Sequence, residues 1–393
     1  MHLGALFELG GIELTTLERG EALGRLDGVL NQATLKLMLG QPIQLLFGDV
    51  SSPEDAIAEV AADNVARGFG QVRIAETHVE ITGGAKYTNM AEAYEVKDKV
   101  AIVTGAGSGI GHALTELLLE NGCSVMMADL KLRPEAEATL NRYSATAKFQ
   151  QTNIASWKEI SKLWEVTLER FGRVDIVVNG AGIYEPPFSN FWNPPGVSPL
   201  AADKADAEVG QYNTFAVNTV GPIRLAQIAV DYWLQNRGDV KGNLLWFSSV
   251  GGYVHQTLSP LYMASKAAII SMAKCLGGLR QAVGIRNAAI CPGAVDTPIF
   301  YPEYCRSRVR PSDLMMTPRQ CAEIALRIMT EPQYGDGNIV EAMLVGTKED
   351  PTMSIREVPL EALYPTVGPV GQANHMVEEE LKHIEKLRND YRN

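Results

Sequence analysis

The chain has 393 residues, 46% of them hydrophobic and 21% charged, with a formal net charge of −11. That length fits one large α/β domain with additions, and the apolar share excludes global disorder. The acidic balance argues against a nucleic-acid partner, because phosphate neutralisation needs a basic face, yet it leaves room for a local pocket for one anion.

The cysteines are Cys123, Cys275, Cys291, Cys305 and Cys321, an odd set with no C-x-x-C pair. Free thiols are expected rather than a disulfide framework or a redox pair. The six histidines form no H-x-x-x-H or H-E-x-x-H pair, so no metal site is expected. Met1 to Thr16 carries Glu8 and Glu13 and lacks the basic start and apolar run of a secretory signal. No run of about 18 apolar residues is present, so no membrane span is expected and the expected location is cytoplasmic.

In chain order, residues 1–82 form a small α/β module of unknown role. A helix is expected over Leu17–Leu39, weakened by Gly20, Gly24 and Gly28, then a strand over Pro42–Phe47. Ser52-Pro53-Glu54-Asp55 starts a helix with a capping hydroxyl and a first-turn proline, and Gly68 closes it. Val72 and Ile74, then Val79 and Ile81, alternate as strands do. Residues 83–96 are expected to be a linker.

Residues 97–345 repeat strand–helix units. Strands are expected at Val100–Val103, Ser124–Ala128, Lys148–Gln151, Val174–Val178, Gly242–Phe247, Ile285–Ile290 and Asn338–Leu344. Most are continuous apolar runs, as parallel strands covered on both faces require. The pattern predicts a doubly wound, Rossmann-type α/β domain with a parallel sheet of about seven strands. Residues 346–393 form a C-terminal tail, in which Met376, Leu381, Ile384 and Leu387 mark an amphipathic helix within Gln372–Arg392.

After the first of these strands comes Thr104-Gly105-Ala106-Gly107-Ser108-Gly109-Ile110-Gly111, opening a helix to about Glu120. Glycines allow a tight turn and close backbone approach to a diphosphate, and the helix N-terminus offers free N–H groups. The alternative is a plain strand–helix turn. Asp129 ends the second strand, where a carboxylate can accept both ribose hydroxyls and repel a 2′-phosphate, so NAD is expected over NADP. Lys131 and Arg133, close by, could soften that preference or be solvated charges.

Tyr262-Met263-Ala264-Ser265-Lys266 puts a phenol and an ammonium one helical turn apart. The cation favours the phenolate and makes it a usable base. A packed tyrosine beside a solvated lysine is the alternative. Ser249 lies thirteen residues upstream, just past the strand ending at Phe247, where ligands of parallel sheets bind.

With these residues in order, the sequence resembles a short-chain dehydrogenase/reductase of the non-extended type over about 97–345. Thr104-Gly105-x-x-x-Gly109-x-Gly111 matches the family's glycine motif. Asn179-Gly180-Ala181-Gly182 matches its Asn-Asn-Ala-Gly motif, with Gly180 replacing the second asparagine. Asn218 matches the helix asparagine, and Pro292-Gly293-Ala294-Val295-Asp296-Thr297 matches the segment that holds the nicotinamide carboxamide. The resemblance implies a catalytic set of Asn218, Ser249, Tyr262 and Lys266. It implies cofactor contacts at Gly105, Gly107, Ser108, Gly109, Ile110, Gly111, Asp129, Asn153, Ile154, Asn179, Ala181, Gly182, Tyr262, Lys266, Pro292, Gly293, Val295 and Thr297. Asn153 stands where the family often has an aspartate at the adenine. The last strand lacks the Asp-Gly-Gly ending of tetrameric members. The sequence is closer there to the 15-hydroxyprostaglandin dehydrogenase branch, which implies a homodimer or a higher homo-oligomer.

The implied function is hydride transfer between NAD(H) and the CH–OH group of a secondary alcohol or the matching ketone. A non-catalytic nucleotide-binding scaffold or sensor on the same fold is the alternative. The loop Tyr184–Lys204 and the segment Ile299–Met316 are rich in aromatics, which suggests a bulky or aromatic substrate. Substrate contacts are expected at Ser249, Tyr262, His255 and Tyr184, with Gln256 and Tyr253 as further polar groups. Arg306, Arg308 and Arg310 could bind a carboxylate or be solvated.

Overall fold

The computed structural model describes residues 93–359 except 237, 239 and 308, residues 379, 382–387 and 389, and the backbone of six short strands between residues 8 and 82. The chain divides into two compact units, Met1–Met90 and Ala91–Asn393.

In the first unit, Glu8–Leu9, Ile12–Glu13, Leu35–Lys36 and Pro42–Ile43 pair antiparallel. Gln71–Ala75 and His78–Thr82 form a hairpin in which Val72 faces Ile81 and Ile74 faces Val79. The alternation expected there is therefore that of a hairpin. Leu35–Lys36 is extended where a helix over Leu17–Leu39 is expected. The rest of that segment and the helix expected from Ser52 to Gly68 lie outside the described residues.

The second unit is built on one sheet. Its strands are β1 (Val100–Thr104), β2 (Ser124–Asp129), β3 (Ala147–Gln151), β4 (Ile176–Asn179), β5 (Asn243–Phe247), β6 (Arg286–Pro292), β7 (Asp336–Gly346) and β8 (Pro351–Glu357). They lie in the order β8-β7-β6-β5-β4-β1-β2-β3. All neighbours are parallel except β7 and β8, which pair antiparallel from Val340↔Glu357 to Gly346↔Pro351. The seven expected strands are all present, and β8 adds an eighth from the segment expected to be a tail. Chain order reverses between β1 and β4, which opens a crevice at the strand tips.

The strands are central because every residue of β1, β4, β5 and β6 is buried. The helices are α1 (Gly109–Glu120), α2 (Pro134–Arg142), α3 (Trp157–Phe171), α4 (Gly221–Gln235), α5 (Pro260–Cys275), α6 (Leu279–Val283), α7 (Glu303–Arg306) and α8 (Pro318–Thr330). Local chemistry sets their ends. The Ser156 hydroxyl accepts from Glu159 N at the start of α3, and left-handed Gly172 ends it. Thr317 and Gln320 form a reciprocal capping box on α8.

One face of the sheet is covered by α1 and α8, through Leu114, Leu118, Ala325 and Ile328. The other is covered by α3, α4 and α5, through Leu163, Trp164, Leu225, Trp233 and Ile269. Burying each large side chain contributes about 1.5–3 kcal/mol. The buried indoles keep a partner: Trp233 Nε1 donates to Val174 O at 2.8 Å and Trp246 Nε1 to Asn287 Oδ1 at 2.7 Å. Residues 382–387 are helical, with Ile384 and Leu387 half-buried and Leu387 packed against the second cluster. The rest of Gln372–Arg392 lies almost wholly outside the described residues. No helix among the described residues is long and apolar enough to cross a membrane.

Candidate active site

The turn after β1 is held by backbone contacts. Gly105 N donates to Ala128 O at 2.9 Å, and Arg133 N donates to Gly107 O at 3.1 Å. A Cβ on Gly107 would lie 2.2 Å from Lys131 O, and one on Gly111 would lie 2.2 Å from Gly105 O. No side chain fits at either place, so α1 starts tight against the turn. Its N-cap residue, Ser108, makes no side-chain capping bond, and its first turn holds no acid. The helix therefore keeps its amides for an anion. Ile110 is half-buried at the opening of α1, and Thr297 Cγ2 comes within 3.1 Å of the Cβ position at Gly109. The Pro292–Thr297 segment thus reaches the glycine turn. That segment is fixed by Gly293 N to Ala342 O, by Asp296 N to Met316 O and by the bridge between Val295 and Met316.

Asp129 lies beside the turn, and its Oδ2 accepts from Gly107 N at 2.9 Å while Oδ1 accepts from Leu130 N at 2.7 Å. The carboxylate is engaged by the loop itself, in addition to the ribose contact expected of it. Arg133 stacks on Tyr301, 5.5 Å from the ring centroid. Asn153 is exposed and its Oδ1 accepts from Ala155 N, closing the turn into α3, while Ile154 is buried below it.

After β4, Thr104 Oγ1 accepts from Gly180 N at 3.1 Å and from Ala181 N at 3.2 Å, tying the Asn179–Gly182 turn to β1. Asn179 is buried with neither side-chain polar atom paired. Buried polar groups are nearly always bonded, so such an orphaned amide marks a place for a polar group. The uncapped α1, the Gly107 and Gly111 cradle and this amide fit a dinucleotide.

A π-turn, Ala216–Val220, precedes α4 and carries Asn218. Its Oδ1 accepts from Ile183 N and its Nδ2 donates to Ile183 O, both at 2.9 Å, with a further bond to Ser265 Oγ at 3.0 Å. The side chain therefore binds the turn after β4 to α5. A Cβ position at Gly182 lies 3.5 Å from both Asn218 Oδ1 and Lys266 Nζ.

Lys266 and Tyr262 lie one turn apart on α5, both buried. Lys266 Nζ donates to Phe247 O at 2.9 Å and lies 5.8 Å from the Tyr262 ring centroid. Ser249 Oγ accepts from Gly251 N at 3.0 Å. The Gly251 Cβ position lies 3.2 Å from Tyr262 Cε1 and 3.4 Å from Ser249 Oγ. The three side chains thus come together at the tips of β5 and β6. Burial pushes the Tyr262 phenol up to about 12, against the pull of its hydrogen bond with Ser249. Burial also brings the Lys266 ammonium down to about 8. The neighbouring cation is expected to favour the phenolate, but in the protein alone desolvation of both groups prevails. Cys291 lies beside them, its thiol held up near 12 by burial.

A half-open cavity of about 320 Å³ is lined by Tyr184, Gln256, Leu258, Ala294, Phe300, Cys305, Val309, Asp313 and Met315. Tyr184 meets the Tyr262 ring edge to face at 4.5 Å, and Gln256 Nε2 donates to its hydroxyl at 2.8 Å. His255 is exposed and is not part of this lining. Tyr253 is turned elsewhere: its hydroxyl donates to Glu341 Oε2 at 2.6 Å, and Arg356 holds the same carboxylate through both oxygens. Arg306 and Arg310 are exposed and do not line the cavity, while Arg308 lies outside the described residues. No motif marks Glu185, whose carboxylate accepts from Tyr262 N at 2.8 Å. Among the described residues no group of three or more His, Cys, Asp or Glu could hold a metal ion.

The family model for short chain dehydrogenase matches residues 99–304. An uncharacterised oxidoreductase of Staphylococcus aureus (strain USA300) is 30% identical over 245 residues, covering 61% of this chain and 95% of that protein. The 15-hydroxyprostaglandin dehydrogenase (NAD+) of Mus musculus is 31% identical over 211 residues, 52% of this chain and 70% of the mouse protein. In fold, the chain is like the crystal structure of 3-ketoacyl-(acyl-carrier-protein) reductase from Brucella melitensis complexed with NADH. The TM-score is 0.51 and the identity 24%, over 63% of this chain and 98% of that one. This chain belongs to the short-chain dehydrogenase family of oxidoreductases.

Proposed function

We propose that this chain moves a hydride between NAD(H) and a bulky or aromatic secondary alcohol or ketone. The observation that carries the reading is the meeting of Ser249, Tyr262 and Lys266 at the tip of β5, with an aromatic cavity one ring away at Tyr184. A bound nicotinamide supplies the hydride acceptor or donor.

Tyr262 takes the alcohol proton during oxidation and returns it during ketone reduction. Ser249 donates a hydrogen bond to the substrate oxygen and steadies its developing charge. Lys266 holds ribose hydroxyls and, when charged, lowers the proton affinity of the phenol. Asn218 fixes Ile183 and through it the floor beside Lys266; in the proton relay it would position a water. With its phenol pushed up to about 12, Tyr262 is protonated at pH 7, the form that donates to a ketone. Oxidation needs the phenolate. Its kcat/KM therefore rises with pH, about tenfold per unit below the controlling pKa, while reduction stays flat until that pKa is passed.

Among the described residues, the cavity lining is apolar and aromatic apart from Gln256 and Asp313 and contains no lysine or arginine. This supports uncharged substrates over carboxylates. The test is a panel of secondary alcohols and ketones with NAD(H) and NADP(H), followed by absorbance of the reduced nucleotide. Turnover of bulky, uncharged members with NAD(H) is the expected result. Tight nucleotide binding without turnover would instead make the chain a scaffold or sensor.

A further inference from the structure

Helix α5 begins without a cap of its own. Its N-cap residue, Ser259, makes no side-chain capping bond, and Pro260 has no N–H to offer. The amide of Tyr262, in the same first turn, is met from outside the helix. Glu185 Oε2 accepts from Tyr262 N at 2.8 Å, and Glu185 Oε1 accepts from Phe191 N at 3.0 Å. Glu185 is 1% exposed, and its φ of 40° lies in the left-handed region that a glutamate rarely adopts. A strained backbone persists only where surrounding contacts hold it. Here the held group is a carboxylate, a strong acceptor at the positive end of a helix dipole. The preceding residue is Tyr184, whose ring packs on the ring of Tyr262. Two consecutive residues therefore grip the same tyrosine, one at its ring and one at its main chain.

We propose that Glu185 is a positioning residue, holding Tyr262 in its reactive place by the tyrosine's own amide and locking the loop after β4 onto α5. This rests on the function assigned to Tyr262 above. Glu185 is not part of the cavity lining and acts through the first turn of α5. Because Phe191 shares the carboxylate, the loop that borders the cavity and the turn that carries the phenol move as one.

The full chain is compared as wild type, Glu185→Gly and Glu185→Gln. Glycine accepts the left-handed backbone, so that variant removes the carboxylate without adding strain. Glutamine keeps an acceptor oxygen. Misplacing a reacting group by an ångström costs about a hundredfold, and that is the expected fall in kcat per NADH-binding site for Glu185→Gly. KM is expected to stay within about threefold. Glu185→Gln is expected to lose only about fivefold, from weakening one charge-assisted bond. In spectra of the chain carrying isotopically labelled tyrosine, the Tyr262 amide, assigned by its loss in Tyr262→Phe, shifts in the glycine variant and stays close in the glutamine variant.

The proposal is overturned by wild-type kcat per site in Glu185→Gly, or by activity that falls only in step with NADH-binding sites. A glycine variant that fails to fold also overturns it, since the carboxylate would then serve stability alone. So does a glutamine variant no better than the glycine one. Failure of the dehydrogenase reading looks different: the wild type itself would turn over no alcohol or ketone, while the amide shift would still be measurable.

Discussion

Between β1 and β4 the chain runs through regular elements joined by short turns, and those around the glycine cradle are closed by backbone clamps such as Arg133 N to Gly107 O. Between Ile183 and Tyr212 it forms no regular helix or strand, and Phe188, Phe191, Trp192, Leu200 and Tyr212 lie exposed. On the proposed function, the first region would meet the nucleotide, a ligand whose shape is constant across many enzymes, and would do so largely with main chain. The second borders the cavity through Tyr184 and, on the same proposal, would meet the variable substrate with side chains. Backbone sites tolerate no added atoms, whereas side-chain sites can be redrawn.

Four substitutions sharpen that contrast. The largest effect is expected from Tyr262→Phe, which removes the proposed proton carrier, packed against the second region at Tyr184. Its kcat should fall about 10²- to 10⁴-fold, with NADH binding retained by fluorescence titration. Near-normal turnover would break the mechanism. Next is Gly111→Ala, whose methyl would lie 2.2 Å from Gly105 O. Overpacking there should cost about 1–3 kcal/mol in denaturant unfolding and weaken nucleotide binding in parallel. If binding and stability are both unchanged, the cradle is looser than its geometry implies.

Asp129→Ala should shift preference toward NADP by about tenfold, the equivalent of roughly 1.4 kcal/mol, in paired kcat/KM measurements. No shift would confine Asp129 to its bond with Gly107. The smallest effect is expected from Trp192→Ala in the loop. Its indole donates to Thr257 O at 2.8 Å but lies mostly in solvent. Stability should change by about 1 kcal/mol or less, and KM for the best substrate by a few-fold at most. A loss as large as that of Gly111→Ala would erase the distinction between the regions.

How much of this was legible follows the same division. Most of the seven parallel strands show as apolar runs because helices cover them on both faces. β8 does not, because it is a half-buried edge where Met353 and Ile355 alternate with Thr352, Ser354 and Arg356 over only a few residues. The glycine turn and the Tyr262–Lys266 pair are spacings within one element, so they can be read directly. Glu185 meets Tyr262 across 77 positions, and Tyr253 meets Glu341 across 88. No local pattern encodes such pairings. Tyr253 shows the consequence: it lies in the expected substrate segment, yet its hydroxyl is committed to the sheet. The proton affinities of Tyr262 and Lys266 were legible only in part, since a sequence displays the neighbouring cation but not the depth of burial.

The antiparallel β8 has one more consequence. Without it, β7 would show the open peptide groups of Val340–Gly346 along the rim of the sheet, ready to recruit a strand from another molecule. β8 takes up those groups and ends in Arg356 and Glu357, whose charges discourage further stacking. A chain cut short before Pro351 would be expected to clump through that rim, even with every residue around Tyr262 intact.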